Sequence, residues 1–321
     1  MNIPKPSLFF QNGIRWMRSA ITRLKIFIRK RPITSAFCAI LVLCWLFCLP
    51  RPLFNSPLSV VLEDKNHELL GAKIASDGQW RFPEPNAIPE KYTQCLVAFE
   101  DKRFWWHPGI DPISLIRSLW VNLTRGKVVS GGSTITMQVI RMARDNPPRT
   151  LLEKCLELCM ATRLELGYSK RSILRLYAAH APFGGNVVGL EAAAWRYYGK
   201  KPELLSWAEA ATLAVLPNSP ALIHPGRNRQ ALLDKRNHLL EKLRDQGKIN
   251  AITCELAQEE PLPDQPLPLP MLAPHLLEHL LQNSALNGRS EHRFFSTIDR
   301  NLQQRVMDVL ERRQAVYKEN D

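Results

Sequence analysis

At 321 residues, 45% hydrophobic and 23% charged, the chain has the composition of a folded protein with room for one sizeable domain and accessory pieces, which excludes a disordered class. Its formal net charge is +13, but residues 1–31 hold eight Lys or Arg and no acid, leaving only +5 for everything downstream. A basic cluster that abuts an apolar run is explained by a membrane, so no nucleic-acid partner is expected.

That apolar run is residues 33–49, seventeen positions without a charge, at the short end of what crosses a bilayer core of about 30 Å. Residues 1–31 therefore read as a cytoplasmic basic segment and 32–50 as a single transmembrane anchor. A cleaved signal peptide fits less well, because Pro50-Arg51-Pro52 offers no small-x-small cleavage site. A buried helix is the third reading. The one-sided charge places the residues after the anchor outside the cytoplasm, and residues 9–28 along the inner leaflet.

Beyond the anchor, residues 58–62 and 70–74 read as short strands. Ser76-Asp77-Gly78-Gln79 supplies a turn before residues 80–82, which predicts a small β-hairpin region. From residue 91 the pattern turns helical, with helices predicted over 91–105, 112–124, 133–144, 150–166, 170–179, 188–198, 206–215 and 228–246. Asp111-Pro112 is a helix cap followed by proline at the first helical position, and Ser206 with Glu209 forms a capping box. Glycine-bearing loops interrupt the helices at 125–133 and 183–189. A domain over 58–250 is thus mainly α-helical. Residues 251–321 read as a proline-rich linker (261–270) and the start of a further region, with a helix at 271–282, a strand at 292–297 and a helix at 299–315.

Seven cysteines are present, and Cys155 and Cys159 share a helix face. No CxxC spacing supplies further metal ligands, so the four cysteines after the anchor are expected to be free thiols packed in a core, and no metal site is assigned.

Three polar clusters could carry chemistry. In the first, an apolar turn at 95–99 precedes Glu100-Asp101-Lys102-Arg103, so Glu100 emerges at the edge of the core. A carboxylate there can have its pKa raised by desolvation and act as a base. A surface ion pair with Arg103 is the plainer alternative. In the second, Gly131-Gly132-Ser133-Thr134 leads into a helix start, which favours phosphate or is simply a capped turn. Arg141, Arg144 and Arg149 follow. In the third, Lys154 and Glu157 share a helix face, and a solvated charged face remains open there.

In their order, these motifs resemble glycosyltransferase family 51, the peptidoglycan polymerase domain of class A penicillin-binding proteins and monofunctional transglycosylases. The resemblance covers about residues 60–245. It rests on Glu100-Asp101-x-x-Phe104-x-x-His107-x-Gly109-x-Asp111, on Gly131 to Thr136 with Gln138, on Arg149-Thr150 with Lys154-x-x-Glu157, and on Lys170-x-x-Ile173-Leu174-x-x-Tyr177. Residues 77–82, 181–186 and Met137-Gln138 narrow it to one subgroup of class A proteins. Three positions depart from the pattern. Glu153 stands where arginine is common and puts negative charge near the phosphate site, Ala178-Ala179 replaces Leu-Asn, and Met142 replaces asparagine.

The resemblance implies a lysozyme-like helical domain that polymerises lipid II into β-1,4-linked glycan, inverting the anomeric carbon and releasing undecaprenyl diphosphate. Glu100 is then the general base and Glu157 the second acidic catalytic residue. Asp101, Phe104, His107, Ser133, Thr134, Gln138, Arg141, Arg149 and Lys154 are expected to bind substrate, with Lys154, Arg149 and Arg141 at the diphosphate. No cofactor is obligatory, and Mg2+ or Mn2+ is the divalent cation the diphosphate chemistry could recruit. Expected partners are lipid II, the growing glycan chain, the cytoplasmic membrane and other cell-wall synthesis proteins. The expected location is the bacterial inner membrane, single-pass, with the catalytic domain on the periplasmic side. Residues 294–299 with Leu302-Gln303 resemble the lead into a transpeptidase, yet Ser-x-x-Lys, Ser-x-Asn and Lys-Thr-Gly are missing, so no penicillin acylation is expected. A lytic hydrolase would need no diphosphate-binding cations. An inactive membrane scaffold is the non-enzymatic alternative.

Overall fold

Residues 22, 29–126, 131–218, 228–286 and 291–319 are described in the computed structural model. Most of the basic segment 1–31 and part of the loop expected at 125–133 lie outside them. The chain divides into two units, Met1–Arg51 and Pro52–Asp321. In the first, helix α1 covers Pro32–Leu46 and buries none of its residues. Among the described residues, no helix is long and apolar enough to cross a membrane.

The second unit opens with a hairpin. Strands β1 (Val60–Glu63) and β2 (Leu69–Lys73) pair antiparallel, with Val60 opposite Lys73. Strand β3 (Trp80–Arg81), expected to extend this hairpin, joins a different sheet. It runs parallel to β5 (Val187–Val188), which also pairs with β4 (Pro182–Gly184). The loop expected at 183–189 therefore contains two very short strands.

The helices follow the predicted order. They are α2 (Glu90–Glu100), α3 (Pro112–Arg125), α4 (Ile135–Ala143), α5 (Leu151–Gly167), α6 (Lys170–His180), α7 (Leu190–Tyr198), α8 (Trp207–Val215) and α9 (Arg229–Asp245). Asp111 caps α3 by accepting from Ser114 N, and Ser206 with Glu209 closes the capping box of α8, as their sequences predict. Helix α2 packs on α8 and α9, and α4 on α5 and α6. Ala208, Ala210, Ala211 and Ala214 of α8 are all buried, and such small side chains leave space for Tyr92 and Leu96 of α2.

One helix was not expected. Helix α10 (Ala251–Glu259) starts at Asn250, whose side chain accepts from Thr253 N at 2.7 Å. Its C-terminal end is held by Arg236 of α9, a fully buried guanidinium that donates to Glu260 O at 2.5 Å and Gln258 O at 2.8 Å.

The segment after the prolines returns to the start of the unit. Helix α11 (Pro274–Leu286) and strand β6 (Arg293–Phe295) follow, then helix α12 (Arg300–Glu319). Strand β6 lies parallel to β1, and Leu272, Ala273, Leu277 and Phe294 share one core with Leu62 and Leu70. Arg293 bridges Glu63 and Glu191, tying β6 to β1 and α7.

The cysteines correct one expectation. Cys95 and Cys254 are buried free thiols, but Cys155 and Cys159 are exposed. The reason is the orientation of α5, which turns Glu157, Met160, Ala161 and Leu164 inward and leaves the other face open.

His180, at the end of α6, stacks flat on Phe54 with ring centroids 3.5 Å apart. Burial lowers its pKa from 6.5 to about 4, with Arg81 adding to the shift. A neutral histidine in the folded state means that, as pH falls from 6.5 towards about 4, the unfolded chain takes up a proton the folded chain does not. Stability should therefore decline across that window. His180→Phe keeps a stacked ring without the titration, and urea midpoints near pH ~7 and ~5 should differ less for it than for the natural chain. Equal pH dependence in the two proteins would mean that another group carries the effect.

Candidate active site

Glu100 is the last residue of α2, which stops five residues earlier than its sequence predicts. It stops because Asp101 leaves the helix at φ −153 and ψ 76. The Asp101 carboxylate accepts from His107 Nε2 at 3.0 Å and from the backbone N–H of Ile135 at 3.1 Å. The turn through Phe104 is thus folded back under the start of α4, and Glu100 is left half-buried at the helix end. Gln138 of α4 donates to Glu100 Oε2 at 2.7 Å, while Oε1 is shut off from solvent. Burial raises the Glu100 pKa. The Gln138 and Asn218 side chains oppose that rise, the Asp101 charge adds to it, and Lys235 lowers it. Beneath it, Tyr92 and Tyr177 are pushed well up by burial, with the Glu100 charge contributing.

The frame around this corner is tightly bonded. His107 Nδ1 accepts from Gly109 N at 3.2 Å, which leaves the proton on Nε2 facing Asp101. Gly109 has φ +88, and a Cβ there would stand 2.6 Å from Ala161 O, so no other residue fits. Thr134 caps α4 and donates to Gly109 O at 2.7 Å. Lys170 donates to His107 O at 2.6 Å and to Glu165 at 2.7 Å, and sits 4.4 Å over the Phe104 ring. Four helices, α2, α4, α5 and α6, are joined through these contacts.

Beyond Gln138 lie the cations. Arg141 grips Glu157 with two hydrogen bonds, Nε–Oε1 at 2.5 Å and Nη2–Oε2 at 2.8 Å. Lys154 reaches Ser133 Oγ at 2.5 Å and Glu157 Oε2 at 3.4 Å. Burial lowers the Lys154 pKa, Glu157 opposes this, and Arg141 and Arg149 reinforce it. Glu153 pairs with Arg144, so its negative charge is matched locally. Ala178 and Ala179 are packed in the core of α6, where Ala179 O would stand 2.7 Å from a Cβ at Gly189.

Among the predicted site residues, Glu100 meets Gln138, and Ser133, Lys154, Glu157 and Arg141 form one linked group. Asp101, Phe104, His107 and Thr134 are buried in the wall that holds them. Arg149 is exposed at the start of α5. Glu100 and Ser133 line a common cavity of about 280 Å³, to which Lys102, Arg117 and Lys242 also contribute. The sequence sets Lys102 in the cluster after Glu100, but Arg117 and Lys242 were missed, since α9 brings Lys242 in from the far end of the domain. Among the described residues no three His, Cys, Asp or Glu converge, and Glu157 gives both oxygens to cations. The residues present do not fit a resident divalent metal, and no step of the reaction is assigned to one.

A family model described as Transglycosylase matches residues 68–244. Penicillin-binding protein 1C of Escherichia coli is 40% identical over 262 residues, covering 81% of this chain and 33% of that one. Penicillin-binding protein 1A of Aquifex aeolicus is 39% identical over 175 residues, 54% of this chain and 24% of that one. The chain thus spans about a third or less of the length of these relatives. A crystal structure of penicillin-binding protein 1A from Haemophilus influenzae aligns with 77% of this chain and 28% of that one, at 18% identity and a TM-score of 0.37.

Glu157 is the counter-charge for two cations, and Glu157→Gln should show it. Removing the charge leaves Arg141 and Lys154 facing each other, so stability should fall by about 3 kcal/mol, the low end of what breaking a buried pair costs. Glu153→Gln, at a more exposed pair, should cost under ~1 kcal/mol. Equal small losses in urea melts would show that Glu157 carries no such load.

Proposed function

The chain belongs to the transglycosylase family, and from that premise we propose that it is a peptidoglycan glycosyltransferase. It joins lipid II units into β-1,4-linked glycan, releasing undecaprenyl diphosphate with inversion. The observation that carries this reading is a partly buried carboxylate with a raised pKa, Glu100, held beside a group of cations by Gln138 and Asn218. The chemistry follows from the side chains. Glu100 takes the proton from the acceptor 4-hydroxyl as that oxygen attacks the donor anomeric carbon. The bond from that carbon to the diphosphate breaks, and the diphosphate leaves with the electron pair. Its charge is met by Lys154 and by Arg149, which is free of ion pairs among the described residues. Arg141 and Glu157 set the position of Lys154. A diphosphate is already a stable anion, so the reaction needs no acid to protonate it.

The substrate is a lipid, and several features support work at a membrane surface. Helix α1 is apolar and buries nothing within its own unit. Helix α3 exposes Ile113, Ile116, Trp120 and Leu123, and Trp105 and Trp106 are exposed just before it. Helix α5 exposes Leu151, Leu152 and Leu156. Apolar helix faces of this kind, in a chain with a strongly basic N-terminal end, suit an anionic bilayer. The proposed arrangement is a single-pass anchor over 32–50 in the bacterial inner membrane, residues 1–31 in the cytoplasm, and the catalytic domain on the periplasmic side with other cell-wall synthesis proteins.

Labelled lipid II tests the chemistry. Glu100→Gln keeps size and hydrogen bonding but removes proton acceptance, so turnover should fall roughly 100- to 10,000-fold while binding of a donor-site inhibitor is kept. In the natural protein, kcat/KM should rise with pH through the Glu100 pKa, at a pH above the ~4.3 of an ordinary glutamate, because the base form is lost as pH falls. Near-normal turnover in folded Glu100→Gln protein would sink the assignment.

Topology has its own test. A phosphatase fused after residue 60 should be active only if exported. Activity of a cytoplasm-dependent reporter at the same position would reverse the orientation.

A further inference from the structure

A second groove, of about 830 Å³, shares no lining residue with the cavity beside Glu100. Strand alternation creates it. Leu62, Leu70 and Phe294 point into the core they share, so their neighbours Glu63, Leu69, Arg293 and Phe295 turn to the opposite face of the sheet and line the groove. Pro83, Pro85 and Pro89 form a wall whose φ angles are fixed before anything binds, and the short turn Pro202–Leu204 forms another. At the rim, Leu204 and Phe295 are 62% and 59% exposed.

Charge in the groove is lopsided. Five carboxylates, Glu63, Glu68, Glu84, Glu191 and Glu203, face two cations, Lys201 and Arg293. Arg293 is taken up by Glu63 and Glu191, and Lys201 by Glu68. Glu84 has a loose 3.7 Å contact with Arg175, and Glu203 forms no ion pair among the described residues. Burial raises the Glu191 pKa, Arg293 opposes the rise, and the charges of Glu63 and Glu203 add to it. Strand β6 also lies at a sheet edge, in the order β2-β1-β6. His292 O and Ser296 N bond to β1, which leaves the N–H and C=O groups of Arg293 and Phe295 on the open side.

We infer that this groove docks an extended segment of a partner protein that carries both Lys or Arg and apolar side chains. Its cations meet Glu84 and Glu203, its apolar groups cover Leu204 and Phe295, and the open edge of β6 pairs with its backbone. The same excess of acid disfavours an anionic bilayer, so this face differs in kind from the exposed sides of α3 and α5. Docking here involves no catalytic step and does not rest on the glycosyltransferase reading.

The probe is a short fluorescent peptide alternating lysine with valine, titrated against the whole chain in neutral detergent. The test variant is Glu84→Gln with Glu203→Gln, since both side chains are exposed and the fold should survive. The peptide should bind this variant roughly tenfold more weakly than the natural chain, and high salt should narrow the gap. A peptide with glutamate in place of lysine should not bind the natural chain, and Glu84→Lys with Glu203→Lys should reverse that preference. Equal affinity of the natural and Gln proteins for the lysine peptide would overturn the site. So would equal binding of the glutamate peptide by the natural chain. Dimers of the natural chain that exclude the peptide and that the Gln variant does not form would make the occupant a second copy of this chain and overturn the partner.

Discussion

The site depends on the Asp101 carboxylate. Its bonds to His107 and to the Ile135 N–H satisfy a buried charge and a free N–H at the start of α4 at once. They also end α2 at Glu100. Had the helix continued, the next turn would have carried Glu100 along its side, and residues 101–109 could not have folded under α4. The close pass of Gly109 against Ala161 O is the consequence, and it seats the segment after α2 directly against α5. Gln138 then stands one turn into α4, at the right height to hold Glu100.

A second constraint is the handling of buried positive charge. Lys154 and Arg141 are both drawn out of water, which is unfavourable unless a counter-charge is near. Glu157 supplies it from inside the helix that carries Lys154. The bidentate grip leaves Arg141 rigid and Lys154 with its remaining donors turned towards Ser133. The departure at Glu153 is absorbed in the same way by Arg144, a residue of the neighbouring helix terminus. Negative charge at that position therefore does not reach Lys154 unscreened.

Local signals in the sequence read well. The caps at Asp111 and Ser206 are set by side chains within three residues, and both helices start where those residues place them. Helix α10 was illegible because it is nine residues long and buries only Cys254 and Ala257, too little for an apolar period. Strands β3, β4 and β5 have two or three residues each, below the length at which alternation is visible. In the site, Glu100, Ser133, Lys154 and Glu157 were legible as motif residues. Their pairings were not. Arg141 meets Glu157 across two helices, and Lys242 reaches Ala98 from a helix at the other end of the domain. The exposure of Cys155 and Cys159 likewise comes from which face of α5 turns inward, which spacing alone does not decide.

These constraints together narrow the chemistry. Cleaving a glycosidic bond with water asks for two carboxyl groups, one of them protonated to help an alkoxide leave. Beside the cation group it is Glu100, a partly buried carboxylate, that has the raised pKa of a working acid or base. Glu157 is 2% exposed and fixed between two cations, so both of its oxygens are already engaged. A reaction that makes use of one base and several cations has an acceptor hydroxyl to deprotonate and a leaving group that is already anionic. Transfer from a sugar diphosphate meets both conditions, and the distribution of charge about Glu100 favours it over hydrolysis of a sugar ether.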